Sequence, residues 1–432
     1  MRIWIVLLSV AAVALAQGAA PAGSPAAAPA SEPHFTLAEA LARARANSPD
    51  FQKALVAEGA AQAVHTQAQA ALLPSLHYNQ NYIFTQDNIF VANDGPHEWI
   101  SQGDVHEALN FGSDATLRRA QAGQVLARAQ SEIAARGLAA TVTGGYYALL
   151  ADQHKVAAAQ QALAEAQKYL TISQELEKGG EVAHADVIKA QIQVTQQQQA
   201  AREAGLATEQ ARLALAVLLF PDFNLNFTLQ DDLALPPPLP GQPQVAALAR
   251  QRNPALAAAE ASLTQAHQDV TIARAGLLPS AALDYFYGID AHEFALRNQF
   301  GHTNLGNSVM GTLSIPLFDW GASRSNLKVS KLDEQQAKRE LSYTQRELLA
   351  RLAGDYAEAQ AARAELASLQ QARDLAAESL RLTALRYQDG EGTILELVDA
   401  QNTATQATDA DEDGMVRYRV ALAQLQTLTG AF

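Results

Sequence analysis

The residues of this chain that could do chemistry are carboxylates beside glycine turns rather than nucleophiles or metal ligands. The sequence has no cysteine, which excludes disulfides, thiolate metal sites and cysteine nucleophiles. Its ten histidines are scattered without the spacing of metal ligands. No nucleophile elbow, P-loop, dinucleotide-binding loop or H-E-x-x-H motif occurs. We therefore expect a protein that is not an enzyme and that holds no metal or cofactor.

The carboxylates that stand out are those that follow glycine-containing turns. Asp186 comes shortly after Gly180, and Glu396 and Asp399 come shortly after the tripeptide Gly390-Glu391-Gly392. Acidic side chains in the first turns of a helix interact favourably with the helix dipole and are commonly solvated. Like charges held close together instead raise one another's pKa and attract cations. Which of these applies depends on the elements that position them.

The composition favours long helices. The chain has 432 residues, of which 48% are hydrophobic, and alanine contributes more of this share than the large aliphatic residues do. Long stretches are dominated by Ala, Gln, Glu, Leu and Arg, which is typical of long helices and coiled coils. The net charge of −14 argues against a nucleic-acid partner.

The first residues predict export. Arg2 precedes an apolar run, and Ala14-Leu15-Ala16 fits a small-x-small cleavage site, so residues 1–16 are predicted to be a secretory signal peptide. The Ala/Pro/Ser-rich residues 17–34 are predicted to be a flexible leader. A single membrane anchor is the alternative, but the run is shorter than the ~20 residues that a spanning helix needs. No later window has 18 consecutive apolar residues, so any membrane crossing must use strands.

The chain is a tandem duplication. Leu-Leu-Pro-Ser occurs at Leu72–Ser75 and again 205 positions later, at Leu277–Ser280. A second proline precedes each motif at the same distance, at Pro49 and Pro254. The residues between the prolines are helical in composition and spacing, and prolines mark the start and the end of each helix. The two repeats are predicted to span 35–232 and 244–432, joined by a proline-rich linker at 233–243.

Each helical stop is followed by a strand pattern. Residues 76–84, 283–289 and 309–317 alternate apolar and polar side chains, and a fourth strand is expected near 100–111. The predicted hairpins therefore cover about 76–111 and about 281–317. Nine or so residues is also the length at which a tilted strand crosses a bilayer. The loops inside the hairpins are long and polar.

A helical pattern of unusual length follows each hairpin. Residues 113–178 and 323–388 each run for 66 positions after a glycine turn at Gly112 or Gly321. At 1.5 Å per residue, each predicted helix is roughly 100 Å long. Return helices are predicted at about 181–219 and about 393–429. The second long helix carries an apolar seam with a step of about 3.55 residues, between a straight helix and a coiled coil. The seam comprises Leu348, Leu352, Tyr356, Ala359, Ala362, Leu366, Leu369, Ala372, Ala376, Leu380, Ala384 and Tyr387.

Four strands cannot close a membrane barrel, because the smallest bacterial barrels use eight. Open strand edges are not tolerated in lipid. If these strands lie in a membrane, several chains must therefore pool them, and three chains would provide twelve. A periplasmic coiled-coil scaffold is the alternative, but it has no need of paired strands with long polar loops.

The sequence resembles the TolC-like outer-membrane efflux channels. The resemblance rests on the entry segment 35–51, the paired Leu-Leu-Pro-Ser stops, and the stretches 314–327 and 386–402, and it covers nearly all of 35–430. It implies a homotrimer in the outer membrane, with a twelve-stranded barrel and a periplasmic tunnel of long antiparallel helices. It also implies a passive duct that works with a periplasmic adaptor and an inner-membrane transporter. Many relatives carry a lipidated N-terminal cysteine, and this chain resembles the unlipidated branch.

The resemblance also implies a gate at the periplasmic tip. The positions that match the family's closing contacts are Tyr387, Glu396, Asp399 and Asp186, with the tip turns at Gly180, Gly390 and Gly392. Three copies would bring nine carboxylates to one constriction. Relatives with a salt-bridge lock have an arginine where this chain has Gly392, so position 392 supplies no arginine to such a lock. A solvated helix-start role for the acids is the alternative.

Two further expectations concern the aromatic residues of the strands and the cargo of the duct. Tyr78, Tyr82, Phe84, Tyr285 and Tyr287 are predicted to face outer-membrane lipid as a girdle, with a soluble β-core as the alternative. Small molecules are the expected cargo of the duct. A type I protein-secretion duct of the same fold is the alternative, because the transporter rather than the duct selects the cargo.

Overall fold

The structure is a computed structural model that describes residues 34–84 and 97–430. The predicted signal peptide, the predicted leader up to residue 33 and most of the loop in the first hairpin lie outside the described residues. Among the helices of the described ranges, none combines the length and the apolar composition needed to cross a membrane.

The first repeat opens and closes with short strands, β1 (His34–Phe35) and β4 (Thr228–Leu229). His34, predicted to belong to the flexible leader, is therefore part of a strand. Between these strands lie two helices, a strand pair and two further helices. They are α1 (Leu37–Asn47), α2 (Pro49–Ala70), β2 (Ser75–Phe84), β3 (His97–Leu109), α3 (Ser113–Gly179) and α4 (His184–Leu219).

Apart from the two short strands, the second repeat has the same elements in the same order. They are α5 (Gln242–Arg252), α6 (Pro254–Ala275), β5 (Ser280–Ala291), β6 (Leu305–Ser314), α7 (Ala322–Gln388) and α8 (Ile394–Thr429). The long helices α3 and α7 have 67 residues each, and the return helices α4 and α8 have 36 each. The predicted fold class, mainly helical with a β part and duplicated in tandem, is confirmed. The strand β6 ends at Ser314, so residues 315–317 of the predicted hairpin lie outside it.

Local chemistry explains where the helices leading into the sheet begin and end. Ser48 and Asn253 cap α2 and α6, and a proline stands at the first helical position of both. This position suits proline because its missing N–H has no partner within the helix. The prolines of the repeated motif fall just after each helix and just before β2 and β5. These prolines end the helical periodicity and allow the alternating pattern of a strand to start.

The four long strands form one antiparallel sheet in the order β2-β3-β5-β6. The two hairpins meet along β3 and β5, where Gly103 pairs with Tyr287 and Gln102 pairs with Gly288. A Cβ atom on Gly288 would overlap the backbone of Ser101 and Gln102, so glycine allows this close approach. Within the described residues, β2 and β6 pair on one side only, and the sheet has two open edges.

A second, two-stranded sheet ties the start of the first repeat to its end. β1 pairs in parallel with β4, and Phe35 lies opposite Leu229. The buried Tyr146 hydroxyl on α3 donates to the carbonyl oxygens of Phe35 (3.0 Å) and Gln230 (2.7 Å). Strands of only two residues are too short to show an alternating pattern in the sequence, so this sheet was not predicted.

The helices pack side by side below the sheet. α3 lies against α4 and α8, and α7 lies against α8 and α6. Seven of the twelve predicted seam residues of α7 are buried, four are half-buried, and Ala372 is exposed. Small seam residues such as Ala359 and Ala362 let the neighbouring helices approach closely.

Candidate functional site at the helical tip

Two turns at the end of the molecule farthest from the sheet reverse the chain between long and return helices. Gly180 (φ 78°) and Gly390 (φ 74°) adopt the left-handed conformation that glycine reaches without a steric penalty. In each turn the next residue bonds back to the helix: Glu181 N–H donates to Leu176 (2.9 Å), and Glu391 N–H donates to Arg386 (2.8 Å). The two turns are neighbours, since a Cβ atom on Gly390 would lie 3.7 Å from Oε2 of Glu181.

Gly392 has a packing role in the second turn. A Cβ atom at this position would lie 3.1 Å from the backbone nitrogen of Tyr387, which is closer than ordinary contacts allow. An arginine is nevertheless present at the turn, one position before Tyr387. The Arg386 Nη1 lies 3.5 Å from Oε2 of Glu396, and its Nη2 donates to the Glu391 carbonyl at 3.2 Å. The chain thus makes an ion pair at the tip with an arginine that the sequence analysis did not single out.

Tyr387 joins the two repeats at the tip. Its side chain is 1% exposed and packs with apolar residues of α3, α4, α7 and α8: Tyr169, Ala190, Ala384, Ile394 and Leu397. Its hydroxyl lies 2.5 Å from Oγ of the fully buried Ser173 on α3. Burial raises the pKa of Tyr387, and the nearby Asp186 charge adds to this rise, so the hydroxyl stays protonated at neutral pH. Ser173 lies 214 residues from Tyr387, and no local pattern identifies it.

The three predicted gate carboxylates lie in the first turns of the return helices. Asp186 pairs with Lys189 on the same helix at 3.1 Å. Glu396 follows the cap residue Thr393, whose hydroxyl accepts the Glu396 N–H, and its carboxylate pairs with Arg386. Asp399 is exposed, and the described residues contain no hydrogen-bond or ion-pair partner for it. A single chain therefore supports the helix-start role of these acids and does not link the three carboxylates to one another.

A buried amide layer lies just above the tip. Gln401 on α8 is 1% exposed, and its Nε2 donates to the Ala162 carbonyl of α3 at 2.8 Å. Gln193 on α4 donates to Asn402 (3.1 Å) and to Gln401 (3.3 Å). These bonds connect α3, α4 and α8 across the boundary between the repeats. The sequence analysis did not find this layer, because glutamine is common throughout these helices.

At the opposite end of the molecule, the strand register separates the sheet into two chemically different faces. Residues that pair directly across antiparallel strands lie on the same face. The five predicted girdle aromatics all lie on one face of the sheet. On this face Tyr78 and Tyr287 both pair with Gly103, and Tyr82 pairs with Trp99. Four of their neighbours on this face are also apolar: Leu76, Leu283, Val309 and Leu313. The five aromatics are exposed to between 40% and 66% of their surface. This apolar face thus covers all four strands.

The other face is polar. It carries His77 and Asn79 from β2, Asp104 and His106 from β3, and Asp284 from β5. Among the described residues, no group of three or more His, Asp or Glu side chains is arranged to hold a metal ion.

A model of the outer membrane efflux protein family matches residues 245–431. The chain is 26% identical to the outer membrane protein OprJ of Pseudomonas aeruginosa over 321 residues, which cover 73% of this chain and 66% of OprJ, just under two thirds of that protein. It is 25% identical to the outer membrane protein TolC of Vibrio cholerae over 419 residues, which cover 91% of this chain and 90% of TolC. Among solved structures, the outer-membrane channel OprN matches with a TM-score of 0.79 at 22% identity, over 92% of this chain and 90% of that chain. At that identity the match shows the shared fold.

Proposed function

We propose that this chain is a TolC-like channel of the bacterial outer membrane and that three copies assemble into an exit duct, because a model of the outer membrane efflux protein family matches residues 245–431 and the chain is similar to OprJ and TolC. Each copy contributes four strands to a twelve-stranded barrel in the membrane. The long helices continue the duct into the periplasm. There the duct receives small molecules from a periplasmic adaptor and an inner-membrane transporter and conducts them passively, with no catalytic step of its own.

The open sheet is the observation that carries this proposal. Its edge strands β2 and β6 have ten residues each, and no other described strand pairs with their outer sides. In lipid each unpaired backbone group costs several kcal/mol, so a sheet with an exposed apolar face needs closed edges. Pairing β2 of one copy with β6 of the next closes both edges and leaves none. A periplasmic scaffold, the alternative of a different class, does not account for the apolar face.

The helical tip is the proposed gate. In the closed state the buried contact between Tyr387 and Ser173 holds α7 against α3, and the Arg386–Glu396 pair fixes the second turn. Three-fold repetition of Asp186, Glu396 and Asp399 would place nine carboxylates around the axis, where they attract cations. Gly180, Gly390 and Gly392 shape the turns that frame this opening.

The aromatic residues of the apolar face are the proposed lipid contacts. Tyr78, Tyr82, Phe84, Tyr285 and Tyr287 would form an interfacial girdle, because aromatic rings with a polar group prefer the boundary between lipid and water. The hydroxyl of Tyr82 lies 2.7 Å from Nδ1 of His97, so its polar end already has a partner at the start of β3.

Small molecules are the proposed cargo, and a type I protein-secretion duct is the alternative. A relative that is 30% identical over 40% of this chain carries the name pyoverdine export outer membrane protein OpmQ, and it comes from Pseudomonas putida. That name favours a small-molecule cargo.

The assembly is tested with the purified mature protein. We expect a detergent-resistant trimer from the outer-membrane fraction that forms ion-conducting channels in planar bilayers. A monomer that stays in the soluble periplasmic fraction and forms no channels would contradict the duct and support the scaffold. The cargo is tested in a deletion strain: increased susceptibility to small toxic compounds supports efflux, and loss of a secreted protein with unchanged susceptibility supports secretion.

A further inference from the structure

Five polar side chains lie on the polar face of three adjacent strands in two separate contact groups, and we name them the His–Asp cluster: His77, Asn79, Asp104, His106 and Asp284. The Asp104 carboxylate accepts a hydrogen bond from Asn79 Nδ2 at 2.6 Å and lies 3.8 Å from Nδ1 of His77. The Asp284 carboxylate lies 2.5 Å from Nδ1 of His106. The cluster therefore contains two carboxylate–imidazole pairs on one surface.

The two kinds of group in the cluster differ in their access to solvent. Both carboxylates are buried, at 7% and 8% exposure, whereas the imidazole side chains of His77 and His106 are 59% and 42% exposed. Both rings turn Nδ1 toward a carboxylate, which leaves Nε2 as the atom that can exchange a proton with water. The imidazoles are thus the members of the cluster that are in contact with the surrounding solution.

We propose that the His–Asp cluster gives the duct a pH-dependent ion selectivity inside its barrel. The inference rests on the proposed function, because closing the barrel with the apolar face outward turns this polar face toward the passage. With neutral imidazoles, the cluster carries two negative charges per chain and favours cations. With both imidazoles protonated, its net charge is zero and the preference for cations falls.

Other charged groups also lie on the polar face. They are Glu98 on β3 and Asp290 on β5, while β6 presents no titratable side chain on this face. Carboxylates ordinarily titrate near pH 4, and histidine is the side chain whose charge ordinarily changes between pH 5 and 8. A selectivity change between pH 8 and 5.5 therefore reports on imidazoles.

The size of the effect follows from the number of charges and the screening. Protonation adds two charges in each of three copies. Unit charges about 10 Å from the axis act weakly in water and are screened over about 10 Å at 0.1 M salt. Together, six such charges disfavour a cation and favour an anion by about fivefold each, so the cation-to-anion permeability ratio changes by about twentyfold. At 1 M salt the screening length is about 3 Å, and the effect should nearly vanish.

The experiment measures reversal potentials of the full-length trimer in planar bilayers under a KCl gradient at a mean concentration of 0.1 M. For the wild type, we expect the cation preference to fall by about twentyfold from pH 8 to pH 5.5. The variant H77N/H106N should keep the pH 8 preference at both values. The control H97N removes an imidazole from the apolar face of the same sheet and should retain the wild-type pH dependence.

The outcomes separate this inference from the proposed function. If the wild type forms no channels, the duct itself is refuted. If channels form but the double variant keeps the full pH dependence, or the control loses it, the His–Asp cluster does not set the selectivity. Should the double variant fail to insert, H77N and H106N tested singly must each remove part of the pH dependence. The variant D284N must lower the cation preference at pH 8; an unchanged preference would also overturn the inference.

Discussion

Replacing Tyr387 with phenylalanine tests whether the buried contact at the helical tip holds the duct closed. The substitution removes one hydroxyl and keeps the ring that packs among Tyr169, Ile394 and Leu397. Ser173 keeps its other hydrogen bond, in which its hydroxyl donates to the Tyr169 carbonyl at 2.9 Å. The change therefore removes the Tyr387–Ser173 bond without leaving a buried donor unpaired.

The expected magnitude follows from this geometry. A hydrogen bond whose loss strands no partner contributes about 1 kcal/mol to the state that contains it. If the three tips of a trimer open together, the closed state loses about 3 kcal/mol relative to the open state. That corresponds to a shift of about 100-fold in the opening equilibrium, because every 1.4 kcal/mol is a factor of ten.

The assay is single-channel recording in planar bilayers. We expect Y387F to show long openings or a higher mean conductance than the wild type. The matched control is Y356F, which removes another tyrosine hydroxyl from α7. That hydroxyl donates to the Pro240 carbonyl at 3.2 Å, far from the tip, so its loss should leave gating unchanged.

Two results would refute this reasoning. Identical conductance of Y387F and the wild type would mean that the Tyr387–Ser173 bond survives opening or does not resist it. Equal increases in Y387F and Y356F would mean that loosening α7 anywhere opens the duct. In that case the tip would have no special role.

Three further predictions concern the acids at the tip, an ion pair between helices and the closest approach in the sheet. Replacing Glu396 and Asp399 with alanine should raise single-channel conductance or weaken block by cations, and unchanged conductance and block would remove both from the constriction. His154 lies 2.7 Å from Asp231 and 3.0 Å from Glu412, and these partners, Glu412 foremost, raise its pKa to about 9. Because the folded pKa exceeds the unfolded value, the stabilisation is complete below about pH 6.5 and is lost as the pH rises through about 9. H154N should therefore lower the free energy of unfolding by about 1 to 2 kcal/mol at pH 6, after allowance for solvent screening, and by little at pH 10, as thermal melts at both values can show. G288A should prevent pairing of β3 with β5 and abolish the trimer on native gels, whereas G306A, its pairing partner on β6 with open space beside it, should assemble normally.

The elements of the fold were predictable because their signals are local. Apolar spacing, alternation and the positions of glycine and proline act over a few residues, and each repeat provides the same signals twice. The open sheet could also be anticipated, since three alternating stretches and a fourth strand expected near 100–111 form two hairpins. The glycines at Gly180 and Gly390 marked the tip turns because only glycine adopts their backbone conformation without strain.

The partners of the candidate functional residues were not predictable in the same way. Nothing near Ser173 in the chain distinguishes it from other helical serines, yet it meets Tyr387 across 214 positions. The imidazoles of His77 and His106 looked scattered in the sequence. The register of β2, β3 and β5 then placed them beside Asp104 and Asp284 on one surface.

By itself, the sequence determined the duplication, the helices, the strands and the turns, because these depend on backbone preferences and on short periodic patterns. Only the tertiary structure decided which side chains meet: the tip contact of Tyr387, the Arg386–Glu396 pair and the His–Asp cluster. Such contacts depend on the exact rotation of packed helices and on strand register. A shift of one residue in register moves a side chain to the other face of the sheet.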